Sequence, residues 1–181
     1  MGRLIANVLT FSRRESGRRQ LQWNPVASDE VIEEMVSQFA PSLERHGIVV
    51  EHDLDARTRV LLDQGALFQI MANLVSNVEK YGVSGRQLKI KSRVEDGRLC
   101  IQLADRGPGI AEVDRERVFE SFVRLDGRVD EGASGTGLGL AIARGLAEDL
   151  GGSLALVGSD QGASFELNLP VVVAEDLSLS Q

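Results

Sequence analysis

The stretch from residue 106 to residue 137 divides this chain into two regular parts and most restricts how it can fold. It is rich in glycine and in charged side chains, and only VFESF within it has a helical pattern. Irregular segments of this length are uncommon inside compact domains and usually carry function. We therefore predict a lid over a binding site, placed between two blocks of regular secondary structure.

The part before this lid has both helix and strand patterns. Ser28 or Asp29 can cap a first helix, which Gly47 ends. Asp63 can cap a second helix, which ends near Tyr81. The strand-like runs are IVVEHDL, RVLL, LKIKSRV and LCIQLAD, and the turn EDG joins the last two.

The part after the lid supplies one more helix and one more pair of strands. The helix begins near Leu138 and ends at Gly151 and Gly152, which form a good left-handed stop. The runs SLALVG and SFELNLPV then close the domain as two strands. This order predicts an α+β protein, a two-layer sandwich in which about three helices cover one face of a mixed β-sheet.

Composition fits one domain and excludes several classes of protein. With 181 residues, 43% of them hydrophobic, the chain can bury one real core. No apolar run reaches the roughly 18 residues of a membrane span, so we expect no direct membrane contact. The net charge is −7, although residues 1–22 hold five arginines and one glutamate. These arginines lack interleaved aromatic residues, so we expect no nucleic-acid partner.

The opening residues have a helical pattern with little to pack against inside one chain. Apolar residues from Leu4 to Leu9 repeat at helical spacing before the sequence turns polar. We interpret residues 1–22 as a short helical remnant whose partner helix is missing or comes from another subunit. Residues 23–172 would form the domain, and residues 173–181 a frayed tail.

Three polar residues mark one face of the second predicted helix. Asn73, Asn77 and Lys80 stand four and three residues apart, so their side chains project from one side. A solvated polar face would explain them, and on spacing alone it is the simpler interpretation. The alternative is a site for a cation and phosphate, because amide oxygens suit Mg²⁺ and an ammonium group neutralises phosphate.

Two glycine-containing segments flank the lid. In DRGPGI, Gly107 and Gly109 let the backbone approach a flat ligand, and Asp105 can accept a hydrogen bond from an amine such as that of adenine. An ordinary turn after a strand is the alternative. GASGTGLGLAIA stands before a helix, whose free N–H groups and dipole favour phosphate. It lacks the lysine of a Walker loop and the context of a Rossmann fold, and alone it is weak evidence.

Together these segments resemble the ATP-binding catalytic region of sensor histidine kinases of two-component systems, which has the Bergerat fold. NLVSNVEKYG is similar to the family's N box, DRGPGI to its G1 box, VFESFVR to its F box and GTGLGLAIA to its G2 box. The resemblance spans about residues 28 to 170. It implies a protein-histidine kinase that binds ATP and Mg²⁺ and donates the γ-phosphate to a histidine of a dimerisation domain, in signal transduction by phosphorelay.

The resemblance also implies roles for single residues. Asn73, Asn77 and Lys80 would be catalytic, with Asn77 as the Mg²⁺ ligand and Lys80 on phosphate, and Phe119 and Phe122 would anchor the lid. The residues implied to bind the nucleotide are Asn73, Asn77, Lys80, Tyr81, Asp105, Gly107, Gly109, Ile110, Phe122, Arg124, Gly135, Thr136, Gly137, Leu138 and Gly139.

Within that set the parts of the nucleotide are divided among the boxes. Tyr81 would lie against the adenine, and Asp105 would bind its amine. The glycines of the G2 box would wrap the phosphates, and Arg124 would reach them when the lid closes.

Two other functions stay open. Gyrase-like topoisomerases, a heat-shock chaperone and mismatch-repair ATPases share this fold and hydrolyse ATP with a glutamate, at the position that Asn73 takes here. An amide cannot act as a general base, so hydrolysis is the less favoured function. A degenerate family member could also keep these boxes as a nucleotide-binding scaffold without kinase activity.

The phosphate-accepting histidine is expected to lie outside this sequence. LIANVLTFSRRESG resembles the end of the second dimerisation helix, whereas the acceptor belongs to the first. His52, in HDLDART, lacks the proline of the acceptor motif, and His46 precedes a helix end. The implied partners are the dimerisation domain and a response-regulator receiver domain. The full-length protein would be a homodimer, and this domain would be cytoplasmic whether or not the full-length protein is anchored in a membrane.

Overall fold

The computed structural model describes residues 20–125, 136–159 and 161–174. Its helices and strands, in chain order, are β1 (Asn24–Val26), α1 (Ser28–Arg45), β2 (Val49–Asp55), β3 (Val60–Leu62), α2 (Gln64–Tyr81), β4 (Gln87–Glu95), β5 (Arg98–Asp105), α3 (Gly139–Asp149), β6 (Ser153–Val157) and β7 (Ser164–Pro170). Short 3₁₀ turns lie at Val83–Gly85, Glu112–Asp114 and Arg117–Phe119. The predicted α+β class is confirmed.

The main sheet has five strands in the order β2-β4-β5-β7-β6. β2 pairs with β4 in parallel, and the other three pairs are antiparallel, so the sheet is mixed as predicted. The predicted hairpin between β4 and β5 is confirmed, and its turn uses positive φ at Asp96 (50°) and Gly97 (70°). The pairing of β5 with β7 brings the two sides of the lid sequence together, since one strand precedes the lid and the other follows it.

The two faces of this sheet differ in polarity because strand residues alternate between them. In β4, Leu88 and Ile90 are fully buried, whereas Lys89 and Lys91 between and after them are exposed. α1, α2 and α3 pack on the apolar side, where a single core cluster joins them to the sheet. The described part of the chain is therefore a two-layer sandwich with one solvated sheet face.

The start of α1 differs from the prediction that Ser28 or Asp29 caps it. Ala27 occupies the cap position, and no side chain caps the helix. Asp29 is instead buried in the first turn, where its carboxylate accepts hydrogen bonds from Ser92 Oγ (2.5 Å) and Ala56 N (2.7 Å). Ser28 Oγ donates to the Ala56 carbonyl at 3.0 Å. These residues tie α1 to the sheet, a long-range use that the local cap pattern could not reveal.

A second, small sheet was not predicted. The segment QLQWNPVA contains β1, which pairs antiparallel with β3. The chain after β7 adds to the other side of β3: Val173 bridges Val60, and Ala174 N donates to the Arg59 carbonyl at 2.8 Å. Val173 and Ala174, which the sequence placed in a frayed tail, therefore pair with the body of the domain.

The predicted opening helix over residues 1–22 lies outside the described residues except for its last three, which are not helical. Residues 175–181 of the predicted tail also lie outside them. Within the described ranges, no helix is both long enough and apolar enough to cross a membrane.

Candidate functional site

Helix α2 carries the three polar residues that the sequence singled out. Asp63 caps the helix as predicted, since its Oδ1 accepts a hydrogen bond from Ala66 N at 2.8 Å. Asn73 is 6% exposed, Asn77 is half-buried and Lys80 is exposed. These three side chains therefore become more exposed toward the C-terminal end of α2, whereas a purely solvated face would be exposed along its whole length.

The first of these residues lies against the start of α3. A Cβ added at Gly139 would lie 3.5 Å from Asn73 Oδ1. The preceding residue Leu138 is 2% exposed, and Gly137 has a φ of 69°. The N-terminus of α3, with its free N–H groups, therefore lies directly beside Asn73.

The C-terminal end of α2 lies against the end of β5. A Cβ at Gly107 would come within 2.7 Å of Gly82 Cα, 2.8 Å of Asp105 Oδ1 and 3.3 Å of the Tyr81 carbonyl oxygen. A Cβ at Gly82 would lie 3.2 Å from the Asp105 carboxyl carbon. The G1 segment and the end of α2 can approach this closely only because both positions are glycine.

Asp105 is buried at this junction, with 7% of its surface exposed. Its Oδ1 accepts hydrogen bonds from Gly107 N at 2.6 Å and from Ala163 N at 3.4 Å. Burial raises the pKa of Asp105 above its ordinary value of 3.8, and the two backbone N–H groups partly oppose that rise. Both bonds use the same oxygen, so the other carboxylate oxygen takes part in neither of them.

Two further glycines shape this corner, and the sequence analysis did not identify them. A Cβ at Gly162, whose φ is 75°, would lie 2.0 Å from the Asp105 carbonyl oxygen. A Cβ at Gly85 would lie 2.1 Å from the Arg106 carbonyl carbon. Gly162 is distant in sequence from the G1 segment, so only the pairing of β5 with β7 reveals its role.

Two phenylalanines of the F-box segment contact the rest of the domain. Phe119 is 6% exposed, and its ring meets that of Phe165 edge to face, with the centroids 6.3 Å apart. Phe122 is 66% exposed, and its backbone N donates to the Gly137 carbonyl at 3.0 Å. The structure therefore supports an anchoring side chain at Phe119, whereas Phe122 is attached through its backbone.

The remaining predicted residues differ in their exposure. Tyr81 is 43% exposed at the end of α2, Ile110 and Thr136 are half-buried, and Arg124 is exposed. Gly135 lies outside the described residues.

Neither histidine lies in this group of residues. His52 lies within β2, opposite Ile90 of β4, and is therefore part of the sheet. His46 follows the last residue of α1, and its Nδ1 is 2.8 Å from the Ser42 carbonyl oxygen.

The comparison with protein families identifies the class to which this arrangement belongs. Residues 62–173 match the model of the histidine kinase-, DNA gyrase B- and HSP90-like ATPases. This match covers more than half of the chain and runs from β3 to the end of the small sheet. The chain belongs to this family.

Named relatives narrow the likeness to sensor kinases. The sensor-like histidine kinase SenX3 of Mycolicibacterium smegmatis is 36% identical over 168 residues, which are 92% of this chain and 44% of that protein. The bacteriophytochrome of Pseudomonas aeruginosa is 30% identical over 99% of this chain and 25% of its own length. The chain thus spans less than half of the length of these relatives.

Solved structures of histidine kinases have the same fold. Full-length ShkA in complex with AMPPNP is 31% identical, with a TM-score of 0.83, and the match covers 94% of this chain and 36% of that one. The catalytic domain of the histidine kinase ThkA is 27% identical, with a TM-score of 0.73, over 83% of this chain and 96% of that one. The domain described here is a histidine kinase-type ATPase domain.

Proposed function

We propose that this chain binds Mg²⁺-ATP along helix α2 and donates the γ-phosphate to a histidine of a dimerisation domain. The observation that carries the proposal is what lies beside α2 at two points, its middle and its C-terminal end. Asn73 lies beside the N-terminus of α3, whereas Tyr81 and Gly82 lie beside Asp105 and Gly107. The eight helical steps from Asn73 to Tyr81 span roughly 12 Å of helix, a distance that suits a nucleoside triphosphate lying along it.

The adenine would bind at the Asp105 end. The carboxylate is held by backbone N–H groups on one oxygen, so its second oxygen can accept a hydrogen bond from the exocyclic amine. The exposed ring of Tyr81 would lie against the base.

The phosphates would bind at the Asn73 end, near the N-terminus of α3. The backbone N–H groups of the first turn of α3 and the ammonium group of Lys80 would neutralise phosphate oxygens. Arg124 of the F-box segment would contribute a further positive charge when the lid closes.

Asn77 is the residue that would hold Mg²⁺. In the described residues, no group of three or more histidine, cysteine or acidic side chains could bind a metal. A half-buried amide oxygen fits Mg²⁺ nevertheless, because this ion usually takes one or two protein ligands and completes its shell with phosphate oxygens and water. When bound, Mg²⁺ would neutralise charge that develops on the phosphates.

Transfer to a separate acceptor is favoured over hydrolysis by the chemistry of Asn73. Its amide cannot take a proton from water, so the helix offers no general base at that position. The chain would act instead by positioning the nucleotide and neutralising its charge. Its partners would be the histidine-bearing dimerisation domain and a receiver domain, in the cytoplasm, where ATP is supplied.

The first test is thermal unfolding with and without Mg²⁺-ATP. A ligand at a hundred times its Kd should stabilise the folded protein by about 2.7 kcal/mol. We expect this shift in the wild-type chain, and we expect Asn77→Ala to abolish the part that depends on Mg²⁺. Lys91→Ala, on the opposite sheet face, is the control and should respond as the wild type does. A folded wild-type protein without any shift would contradict nucleotide binding.

A second test separates kinase from hydrolase. The chain is incubated with γ-labelled ATP, alone and with a separately produced dimerisation domain of a relative such as SenX3. We expect acid-labile label on that domain and little release of phosphate without it. Rapid acceptor-independent release would favour the hydrolase, and binding without either reaction would favour a nucleotide-binding scaffold.

A further inference from the structure

Arg144, in the middle of α3, makes three separate contacts that the nucleotide site does not use directly. Its guanidinium carbon lies 3.5 Å from the centroid of the Phe119 ring. Its Nη1 donates to Glu116 Oε2 at 2.8 Å, and its Nε donates to the Leu154 carbonyl at 3.2 Å. One side chain therefore joins α3 to β6 and to the 3₁₀ turn at Arg117–Phe119.

The contact between Arg144 and Phe119 is largely shielded from water. The Arg144 side chain is only 25% exposed, and the other edge of the aromatic pair is closed by Phe165. A guanidinium group over an aromatic face is attracted by the ring quadrupole, and partial desolvation strengthens the attraction. The ion pair with Glu116 orients the guanidinium group over the ring, although the Glu116 side chain itself is 82% exposed.

The location of these contacts connects them with the lid. In the sequence, the F-box segment comes before the glycine-rich stretch, and Thr136 and Gly137 lie just before α3. Phe119 is held by Arg144, and Phe122 N is bonded to the Gly137 carbonyl, only two residues before α3 begins. The F-box segment is therefore held both by α3 and by the chain that leads into α3.

We propose that Arg144 is a positioning residue: it fixes the F-box segment relative to the N-terminus of α3, so that Arg124 and the backbone N–H groups at the start of α3 meet the outer phosphates together. This inference rests on the proposed function. It assigns Arg144 no contact with the nucleotide. Its effect is the relative placement of two groups that act on the same phosphate.

The test compares the affinities of a non-hydrolysable ATP analogue and of ADP, each with Mg²⁺, by calorimetric titration. Arg144→Met keeps an apolar stem and removes the charge. We expect it to weaken binding of the triphosphate analogue about 10-fold, the change that corresponds to 1.4 kcal/mol and lies within the range of a partly buried cation–π contact. Binding of ADP should change much less, since it lacks the γ-phosphate. Arg144→Lys should restore part of the loss.

The control is Arg93→Met, which removes an arginine paired with Glu95 on the solvated sheet face and should leave both affinities unchanged. Glu116→Gln is a second variant of the same cluster, in case Arg144→Met does not fold. Glu116 is exposed, so it can be changed without loss of core packing. We expect it to weaken binding of the triphosphate analogue about 2- to 5-fold.

Three results would overturn the inference. Unchanged affinity for the triphosphate in both Arg144→Met and Glu116→Gln would exclude positioning by this cluster. Equal losses for both nucleotides, with a lower Tm, would assign Arg144 a purely structural role. A wild-type chain that binds neither nucleotide would overturn the proposed function as well, and the wild-type titration alone distinguishes that case.

Discussion

Burial and ligand binding make opposite demands on Asp105. The carboxylate lies under the end of α2 and is 7% exposed, so its charged form is poorly solvated in the folded protein. Two backbone N–H groups compensate only in part, and the pKa of Asp105 remains raised. In the proposed site, the second carboxylate oxygen would accept a hydrogen bond from the ligand. The residue would then favour binding at a cost in stability, as is common at functional sites.

Asp105→Asn should separate these two effects. The Asn Oδ1 can still accept from Gly107 and Ala163, but its NH₂ group would then face the adenine amine, donor against donor. We expect nucleotide affinity to fall roughly 10- to 100-fold, the range set by leaving one buried polar group unsatisfied. Without nucleotide, the variant should be more stable than the wild type at pH 7, because it removes a buried charge.

The effect of Asp105→Asn on stability should depend on pH. Because the pKa of Asp105 is raised in the folded state, its stabilising contribution is complete below the ordinary value of 3.8 and is lost as the pH rises through the folded pKa. The stability difference between Asp105→Asn and the wild type should therefore be largest at neutral pH and should vanish below about pH 3.8. Denaturant unfolding at several pH values measures it. A variant less stable than the wild type at pH 7 would contradict this account.

The helices and strands differ in how far sequence alone predicts them. α2 and α3 were predicted with their ends, because a capping aspartate at Asp63 and a left-handed Gly151 are local signals. The prediction for the start of α1 was wrong. Asp29 is a residue type that often caps helices, but here its carboxylate accepts a hydrogen bond from Ser92, which is distant in sequence. β1 was missed because three residues around Pro25 have no periodicity, and only pairing with β3 makes them a strand.

The site shows the same division. Asn73, Asn77 and Asp105 stand in recognisable local patterns. Arg144 and Gly162 do not, because their importance comes from contacts with segments far away in the chain.

Three glycines test how closely packed the corner between β5 and β7 is. Gly162 combines a positive φ with a backbone atom 2.0 Å from an added Cβ. Gly47 has a positive φ but no atom within 4 Å of an added Cβ, and Gly158 has neither a positive φ nor such a close neighbour. We expect Gly162→Ala to lower the free energy of unfolding by about 3 kcal/mol or more, from backbone strain and overpacking together. Gly47→Ala should cost about 1 kcal/mol, and Gly158→Ala should be close to neutral.

Denaturant unfolding of the three variants gives these energies, and nucleotide titration gives a second measure. Only Gly162→Ala should also weaken nucleotide binding, because the main chain that it displaces is that of Asp105. Equal effects of Gly162→Ala and Gly47→Ala on stability would mean that the corner can expand without cost.

At the scale of the whole molecule, β3 is the place where the two ends of the described chain meet. β1 pairs with one side of it, and residues 172–174 pair with the other, with Leu61 N donating to the Val172 carbonyl at 2.9 Å. β3 leads directly into α2, which carries the candidate site. The small sheet therefore joins β1 and residues 172–174 to the segment that leads into α2.

Shortening the chain from its C-terminal end tests this role. Removal of residues 171–181 would expose the surface that Val171 covers and would break the hydrogen bonds of residues 171–174. With each bond contributing about 1 kcal/mol and Val171 about 1.5 kcal/mol, we expect a loss of roughly 3 to 5 kcal/mol, or about 10 °C in Tm. Removal of only residues 175–181 leaves all of these contacts and is the matched control. Since none of them touches Asn77 or Asp105, nucleotide affinity measured well below Tm should be equal in both shortened chains. A lower affinity only in the shorter one would show that the small sheet also positions α2.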